Sequence, residues 1–174
     1  AGGPNYVHAL RNWTPLQDSR AAKWSVDEWW KKFGGQALDL TGLTVEKNYQ
    51  RYRKPLSPII VRIDDATSHE DITLINYIAQ ITQTEVLWST ATAESIEDLV
   101  DRAQYKVRWL SGEKAPRKEL LAKGVSLDGR PVAQRGDIEA PRWLLEQSVA
   151  ITYHRYGNVN GGPKPVCKGL ADVI

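Results

Sequence analysis

The residue types that usually carry out chemistry are few in this chain, and they are scattered. Three histidines, His8, His69 and His154, lie far apart, and none has a second ligand at the spacing of a metal site. The single cysteine, Cys167, cannot form an internal disulfide and lies beside Lys168 in a tail rich in Gly and Pro, the setting of an ordinary exposed thiol. These residues predict neither a metal site nor a catalytic nucleophile.

Two pairs of carboxylates could in principle share acid–base work. They are Asp64 with Asp65 and Glu70 with Asp71, and both lie next to a predicted helix start. Negative charge stabilises the N-terminus of a helix, which explains the pairs without catalysis. The whole stretch 64–71 contains no glycine, and its four carboxylates would repel a pyrophosphate. We therefore predict that this loop does not hold a dinucleotide.

The elements that position these residues alternate between strand and helix from Ser57 onward. Capping signals open two helices, with Ser68 three residues before Asp71 and Ser95 three residues before Asp98. Runs of β-branched and alternating apolar residues mark the strands. The predicted strands cover 59–63, 86–88 and 105–109, with one or two more short strands over 125–127 and 132–133. The predicted helices cover 68–83, 95–103, 116–123 and 140–153.

Strands joined through helices imply right-handed crossovers and a mostly parallel sheet that is covered on both faces. The predicted fold class is α/β, a Rossmann-like three-layer sandwich with about four to five strands. In the strand 105–109, Tyr105, Val107 and Trp109 alternate with Lys106 and Arg108. That alternation predicts one solvent-exposed face on this strand.

An irregular segment rich in tryptophan precedes the sandwich. Residues 1–24 are predicted to be a linker, a short helix follows from Ser25 to Gly34, and the polar stretch 36–56 holds a short strand at 48–53. Large aromatics in such a segment either pack on the domain's own core or form half of an interface. The start at Ala1 without an initiator methionine favours the interface. Four of the seven tryptophans lie here: Trp13, Trp24, Trp29 and Trp30.

Composition narrows the class of protein. The 174 residues suit one compact domain, and 23 Lys+Arg against 21 Asp+Glu leave a net charge of +2. So balanced a chain is not expected to bind nucleic acid. No apolar run approaches the roughly 18 residues of a membrane-spanning helix, and the lone cysteine favours a cytoplasmic location.

Four stretches resemble the proline utilisation A family. Residues 1–6 (AGGPNY) are similar to the end of its glutamate-semialdehyde (pyrroline-5-carboxylate) dehydrogenase domain. Residues 128–132 (DGRPV) and 145–158 (LEQSVAITYHRYGN) resemble the C-terminal motif of the longer family members. Residues 52–57 (YRKPLS) resemble the segment before an aldehyde-dehydrogenase-type Rossmann strand, although Ser57 stands where a glycine is usual.

The resemblance implies a division of labour within a longer bifunctional oxidoreductase of proline catabolism. FAD and NAD serve its upstream catalytic domains, between which the intermediate is channelled. The C-terminal domain, of the aldehyde dehydrogenase superfamily, has no catalytic residues and is expected to cover the internal cavity as a lid. On this basis residues 1–56 are the end of the dehydrogenase domain and a linker, 57–158 the Rossmann-like domain and 159–174 a flexible tail.

This chain would then bind no cofactor itself, and its partners would be the catalytic domains of the same polypeptide. A homodimer and peripheral association of the parent enzyme with a membrane stay open. His154 and Arg155 could instead cap the last helix. The residues expected to dock on the catalytic body are Trp29, Trp30, His154, Arg155, Tyr156, Gly157 and Asn158.

Two other functions compete with this one. The chain could be a nucleotide-binding or small-ligand Rossmann domain, which would need a pocket at the carboxyl ends of the strands lined by backbone N–H groups in place of Asp64 and Asp65. It could also be an autonomous enzyme. That alternative has the least support, because no convergent set of titratable residues can be assembled.

Overall fold

The protein is described by a computed structural model over residues 19–43, 46–152, 154–155 and 158–159. The helices are α1 (Ser19–Phe33), α2 (His69–Thr82), α3 (Ile96–Arg102), α4 (Arg117–Ala122) and α5 (Gly136–Glu139), with a 3₁₀ helix over Ala140–Trp143. The strands are β1 (Leu38–Asp39), β2 (Glu46–Arg53), β3 (Ile59–Ile63), β4 (Val86–Thr90), β5 (Lys106–Trp109), β6 (Ser126–Asp128), β7 (Leu145–Thr152), β8 (His154–Arg155) and β9 (Asn158–Val159).

A four-stranded parallel sheet in the order β4-β3-β5-β6 forms the centre. Side chains of β3 alternate between its two faces, so Ile59 and Val61 join one core with α1 and α2, while Ile60 joins another with α3 and α4. Helices therefore cover both faces of the sheet. The predicted α/β three-layer sandwich is confirmed.

Local signals placed most of these elements correctly. The Ser68 hydroxyl accepts the Asp71 N–H at 3.1 Å, and Ser95 accepts the Asp98 N–H at the same distance, so both predicted caps exist. After α4, Gly124 has a φ of +72°, a conformation that favours glycine and ends the helix as predicted.

The predicted helix over 140–153 is wrong. A short helix and a 3₁₀ turn end at Trp143, and the chain then forms β7, which pairs antiparallel with β2 along eight residues. Half-buried and exposed residues alternate strictly along β7, which is the period of a strand. His154 lies in β8 and not in the last turn of a helix, so the capping role suggested for His154 and Arg155 is also wrong.

Helix α1 begins earlier than predicted, because Ser25 does not cap it. The Ser25 hydroxyl donates to the Ala22 carbonyl at 2.7 Å and accepts the Gly136 N–H at 2.6 Å. Ala22, Val26 and Trp29 follow at spacings of four and three, and they bury one face of α1 against the parallel sheet. The remainder of the predicted linker, residues 1–18, lies outside the described residues.

In the described ranges no helix combines the length and the apolar character that crossing a membrane requires. Nor do the described His, Cys, Asp and Glu residues come together in threes at a place that could hold a metal ion.

Candidate functional site

The place to look for a ligand in such a sheet is the carboxyl edge beside β3. Helix α2 carries the chain from β3 to β4 on one side, and α3 then returns it to β5 on the other side of β3. The loops after β3 and β5 leave the sheet in opposite directions, and the crevice between them is where nucleotides bind in related topologies.

Asp64, the first residue after β3, closes this crevice. Its Oδ2 accepts the Gly112 N–H at 2.6 Å from the loop after β5, and its Oδ1 accepts the Ala66 N–H at 3.0 Å. The Gly112 hydrogen bond is the main reason why the pKa of Asp64 lies below its ordinary value. The backbone donor that could face a phosphate is thus already bonded to a carboxylate.

Arg62, two residues before Asp64 in the chain, is only 1% exposed. Its Nη1 donates to the Ser89 hydroxyl and to the Glu94 carbonyl, both at 2.9 Å. Its Nε and Nη2 both lie 3.0 Å from Oε2 of Glu113. One buried guanidinium therefore ties together β3, β4 with its following loop and the loop after β5. The guanidinium also lies 5.8 Å from the centre of the Trp109 ring.

The predicted solvent-exposed face of β5 is wrong. Arg108 is fully buried and Lys106 is half-buried, because β5 is an interior strand with helices on both sides. The Arg108 guanidinium lies 3.0 Å from Asp128 Oδ1 and donates to Glu139 Oε1 at 2.8 Å. This second buried arginine lies on the opposite face of the sheet from Arg62, since their positions in the β3–β5 register differ by one residue.

Glu139, at the end of α5, is also fully buried. Besides Arg108 it accepts the Ala133 N–H and the Arg142 Nη1–H, both at 2.8 Å, and the Trp143 Nε1–H at 3.1 Å. Ala133 does not belong to a strand, so of the one or two short strands predicted over 125–127 and 132–133 only the first is present. The backbone N–H of Ala133 is used instead to hold the connection from β6 to α5 against the sheet.

Asp128 completes the network, and its charge is set by its surroundings. Burial alone would raise the pKa of Asp128, but hydrogen bonds from Arg130 and the charge of Arg108 lower it far below the ordinary range. Asp128 is therefore a fixed anion. Such a group holds neighbouring cations in place and does not exchange protons near neutral pH.

The tryptophans of helix α1 differ in how much of their surface is exposed to solvent. Trp29 is 7% exposed and stacks edge-on against Tyr52, with ring centres 4.9 Å apart, so it packs on the domain's own core. Trp30 is half-buried beside it, and Trp24 on the same helix is 64% exposed. From the sequence, Trp24 is one of the four aromatics that could form half of an interface, but it is not among the residues predicted to dock.

The other predicted docking residues are described only by their backbone or not at all. His154 and Arg155 form β8, which pairs with β9 at Asn158 and Val159. Tyr156 and Gly157 lie outside the described residues. His69 begins α2 with an exposed side chain, whereas His8 and Cys167 also fall outside the described ranges. The docking role of all these residues stays a prediction.

Comparison with solved structures finds a likeness in fold. No protein-family model and no curated protein matches this chain. The solved structure of proline utilization A (PutA) from Corynebacterium freiburgense is similar, with a TM-score of 0.58 and 24% sequence identity over 89% of this chain. The matched part is 15% of that protein, so this chain spans a small fraction of its length. At this identity the likeness establishes the fold.

Proposed function

We propose that the chain is a non-catalytic structural domain of a bifunctional proline-oxidising enzyme of the proline utilization A type. In that enzyme, upstream domains would use FAD and NAD to convert proline to glutamate through pyrroline-5-carboxylate. This domain would act as a lid over the cavity through which the intermediate passes. The chain itself would bind neither cofactor and perform no reaction.

The observation that carries the non-catalytic role is the closed crevice at the carboxyl edge of β3 and β5. Asp64 accepts a hydrogen bond from the Gly112 amide there, and the buried Arg62 donates hydrogen bonds to Ser89, Glu94 and Glu113. A dinucleotide would have to displace the Gly112 amide from Asp64 and compete with Ser89, Glu94 and Glu113 for the Arg62 guanidinium. Because the donors of Arg62 are already hydrogen-bonded, an incoming phosphate would exchange existing contacts for new ones and would gain little from this arginine.

The assignment to a proline catabolic enzyme rests on the fold likeness and on the resemblance of residues 1–6, 128–132 and 145–158 to that family. The likeness covers nearly the whole chain but only a small part of the larger protein. A domain with that relation to a much longer relative is expected to work within a longer polypeptide. Its contribution would come through contacts with the catalytic domains.

Helix α1 is the surface that we assign to such contacts. Its inner face is buried in the core of the parallel sheet, while Trp24 on its outer side leaves 64% of its surface to solvent. Exposed tryptophan is enriched at the centre of protein interfaces. Trp30, half-buried on the same helix, would lie at the margin of the contact.

The test is to compare the bifunctional enzyme with and without residues 19–174, a deletion that also removes α1 so that no half of the core is left behind. The coupled conversion of proline to glutamate, with released pyrroline-5-carboxylate trapped and measured, reports on the lid. We expect the deleted enzyme to release more intermediate into solution. Unchanged release and unchanged thermal stability would rule out the lid role.

A point variant separates docking from folding. Trp24→Ala removes an exposed ring and should raise intermediate release without unfolding the domain. Leu121→Ala is the matched control, since Leu121 is 74% exposed on α4, in the opposite layer of the sandwich. Equal behaviour of the two variants would count against docking through α1.

The nucleotide-binding alternative would need backbone N–H groups that point into the crevice in place of the acidic residues. The loop does the reverse, because Asp64 lies at the crevice and takes the Gly112 N–H. No contact among the described residues favours this alternative, and we do not propose it.

A further inference from the structure

A cavity of about 590 Å³ lies at the β6 edge of the parallel sheet, away from the crevice beside β3. Cavities of this size are common for small ligands. Three cations line it from three different elements: Lys106 from β5, Arg117 at the start of α4 and Arg130 from the loop after β6. Asp128 is the only carboxylate among its described lining residues.

Asp128 forms its ion pairs with Arg130 and Arg108, and not with Lys106 or Arg117. Its Oδ1 accepts from the backbone N–H and the Nε–H of Arg130 and lies 3.0 Å from Arg108, while its Oδ2 accepts from Arg130 Nη2 at 2.6 Å. Both oxygens are therefore occupied by the arginines. Neither Lys106 nor Arg117 forms an ion pair with a carboxylate in the described part of the chain.

Lys106 is the unusual member of the group. Its half-buried Nζ donates to the Arg142 carbonyl at 2.6 Å and has no carboxylate within ion-pair distance among the described residues. Burial lowers the pKa of Lys106, and Asp128 acts only partly in the opposite direction. A partly desolvated ammonium that is bonded to a neutral carbonyl gains more from an incoming anion than a solvated surface lysine does.

The strand edge adds a neutral donor to the cavity. The Ser126 N–H donates to Tyr105 in the direction of β5. Successive N–H groups along a strand point to opposite sides, so the N–H of Leu127 faces the open edge, where Leu127 lines the cavity. A backbone donor beside several cations is the usual composition of an oxyanion-binding site.

We propose that this cavity binds a small ligand that carries a phosphate or carboxylate group. Lys106 and Arg117 contact the oxyanion, and the Leu127 N–H orients it. An acidic peptide segment is the less suitable occupant. Strand β6 has only three residues and offers few main-chain partners to an added strand. The proposal is independent of the role in proline oxidation.

The proposal is tested on the full 174-residue chain, labelled with ¹⁵N and observed by NMR. Inorganic phosphate and succinate are titrated in separate arms, with sodium chloride holding the ionic strength constant. We expect saturable shifts of the Leu127 and Gly129 amide signals with at least one of the two anions. The arm that saturates identifies whether phosphate or carboxylate is preferred.

Two variants on adjacent residues decide whether the effect is specific. Arg117→Gln should weaken anion binding about five- to tenfold, since it removes one charge-assisted contact. Lys118→Gln removes the same charge from an exposed position that does not line the cavity, and it should leave binding unchanged. Shifts that do not saturate, or equal weakening by both variants, indicate general charge screening and would overturn the proposal. Saturation by hexaglutamate with neither small anion would overturn it in favour of an acidic segment.

Discussion

Glu139→Gln is the most informative single substitution for the buried network under β5. Glu139 accepts four hydrogen bonds while fully buried, two from arginines and two from neutral N–H groups. Glutamine has nearly the same shape, so packing is retained. Its amide nitrogen replaces one acceptor oxygen, and the negative charge opposite Arg108 and Arg142 is lost.

The magnitude follows from the number of contacts. In the glutamine variant, the side-chain NH₂ replaces one carboxylate oxygen and faces the two N–H donors that this oxygen accepted from. A buried donor left without an acceptor costs about 1–3 kcal/mol. Removing one partner of a buried ion pair costs about 3–5 kcal/mol, but Asp128 still lies 3.0 Å from Arg108 and limits that loss. Nε of Arg108 already lacks a hydrogen-bond partner among the described residues, so the network has no spare acceptor. We expect a loss of about 3 kcal/mol.

Urea unfolding followed by tryptophan fluorescence measures this loss. With a slope of about 2 kcal/mol per molar urea, the midpoint should fall by about 1.5 M. Glu85→Gln serves as the control, because Glu85 is exposed and should stay within about 0.5 kcal/mol of the parent chain. A loss below about 1 kcal/mol for Glu139→Gln would refute the description of Glu139 as the centre of this network.

Two further predictions concern packing and pH. Gly136→Ala should destabilise the fold by about 3 kcal/mol in the same urea assay, because a Cβ there would meet the backbone of Val26 in α1; Gly129→Ala, whose nearest neighbour would be 3.8 Å away, should be nearly neutral. For Asp39, burial alone would raise the pKa, but hydrogen bonds from Thr41 lower the pKa from 3.8 to about 2. The ionised Asp39 therefore stabilises the fold above pH 3.8, and this stabilisation is lost as the pH falls towards 2. The stability difference between the parent chain and Asp39→Asn should therefore shrink over that interval in acid titrations of unfolding, and a difference that stays constant would contradict this assignment.

The part of the fold that could be predicted from sequence is the part encoded locally. The run of β-branched residues in β3 and the serine caps of α2 and α3 act within a few residues of themselves, so their patterns are complete in the sequence. Strand β7 is different, because its partner β2 lies 96 residues away at the Gln50–Glu146 contact. Without the partner strand, the sequence predicts a helix over 140–153 and gives no sign of the pairing with β2.

The candidate site shows the same division. The acidic, glycine-free loop after β3 was recognised from sequence, and the structure adds the contact of Asp64 with Gly112. The networks around the two buried arginines are not predicted from the sequence. For Arg108 the alternation with apolar residues suggests a solvent-exposed face, and for Arg62 the strand is predicted to be buried without a partner for its charge. For Arg108 a signal did exist. The predicted parallel sheet, covered on both faces, leaves no exposed face on an interior strand, so a charged residue there must be buried with partners.

The closed crevice beside β3 is the central claim, and direct titration of the 174-residue chain with NAD⁺ by isothermal calorimetry tests it. With Asp64 holding Gly112 and Arg62 holding Glu113, we predict no saturable heat of binding at concentrations up to about 1 mM, which corresponds to a binding free energy weaker than about −4 kcal/mol. Saturable binding of NAD⁺ at micromolar concentrations would contradict the closed crevice.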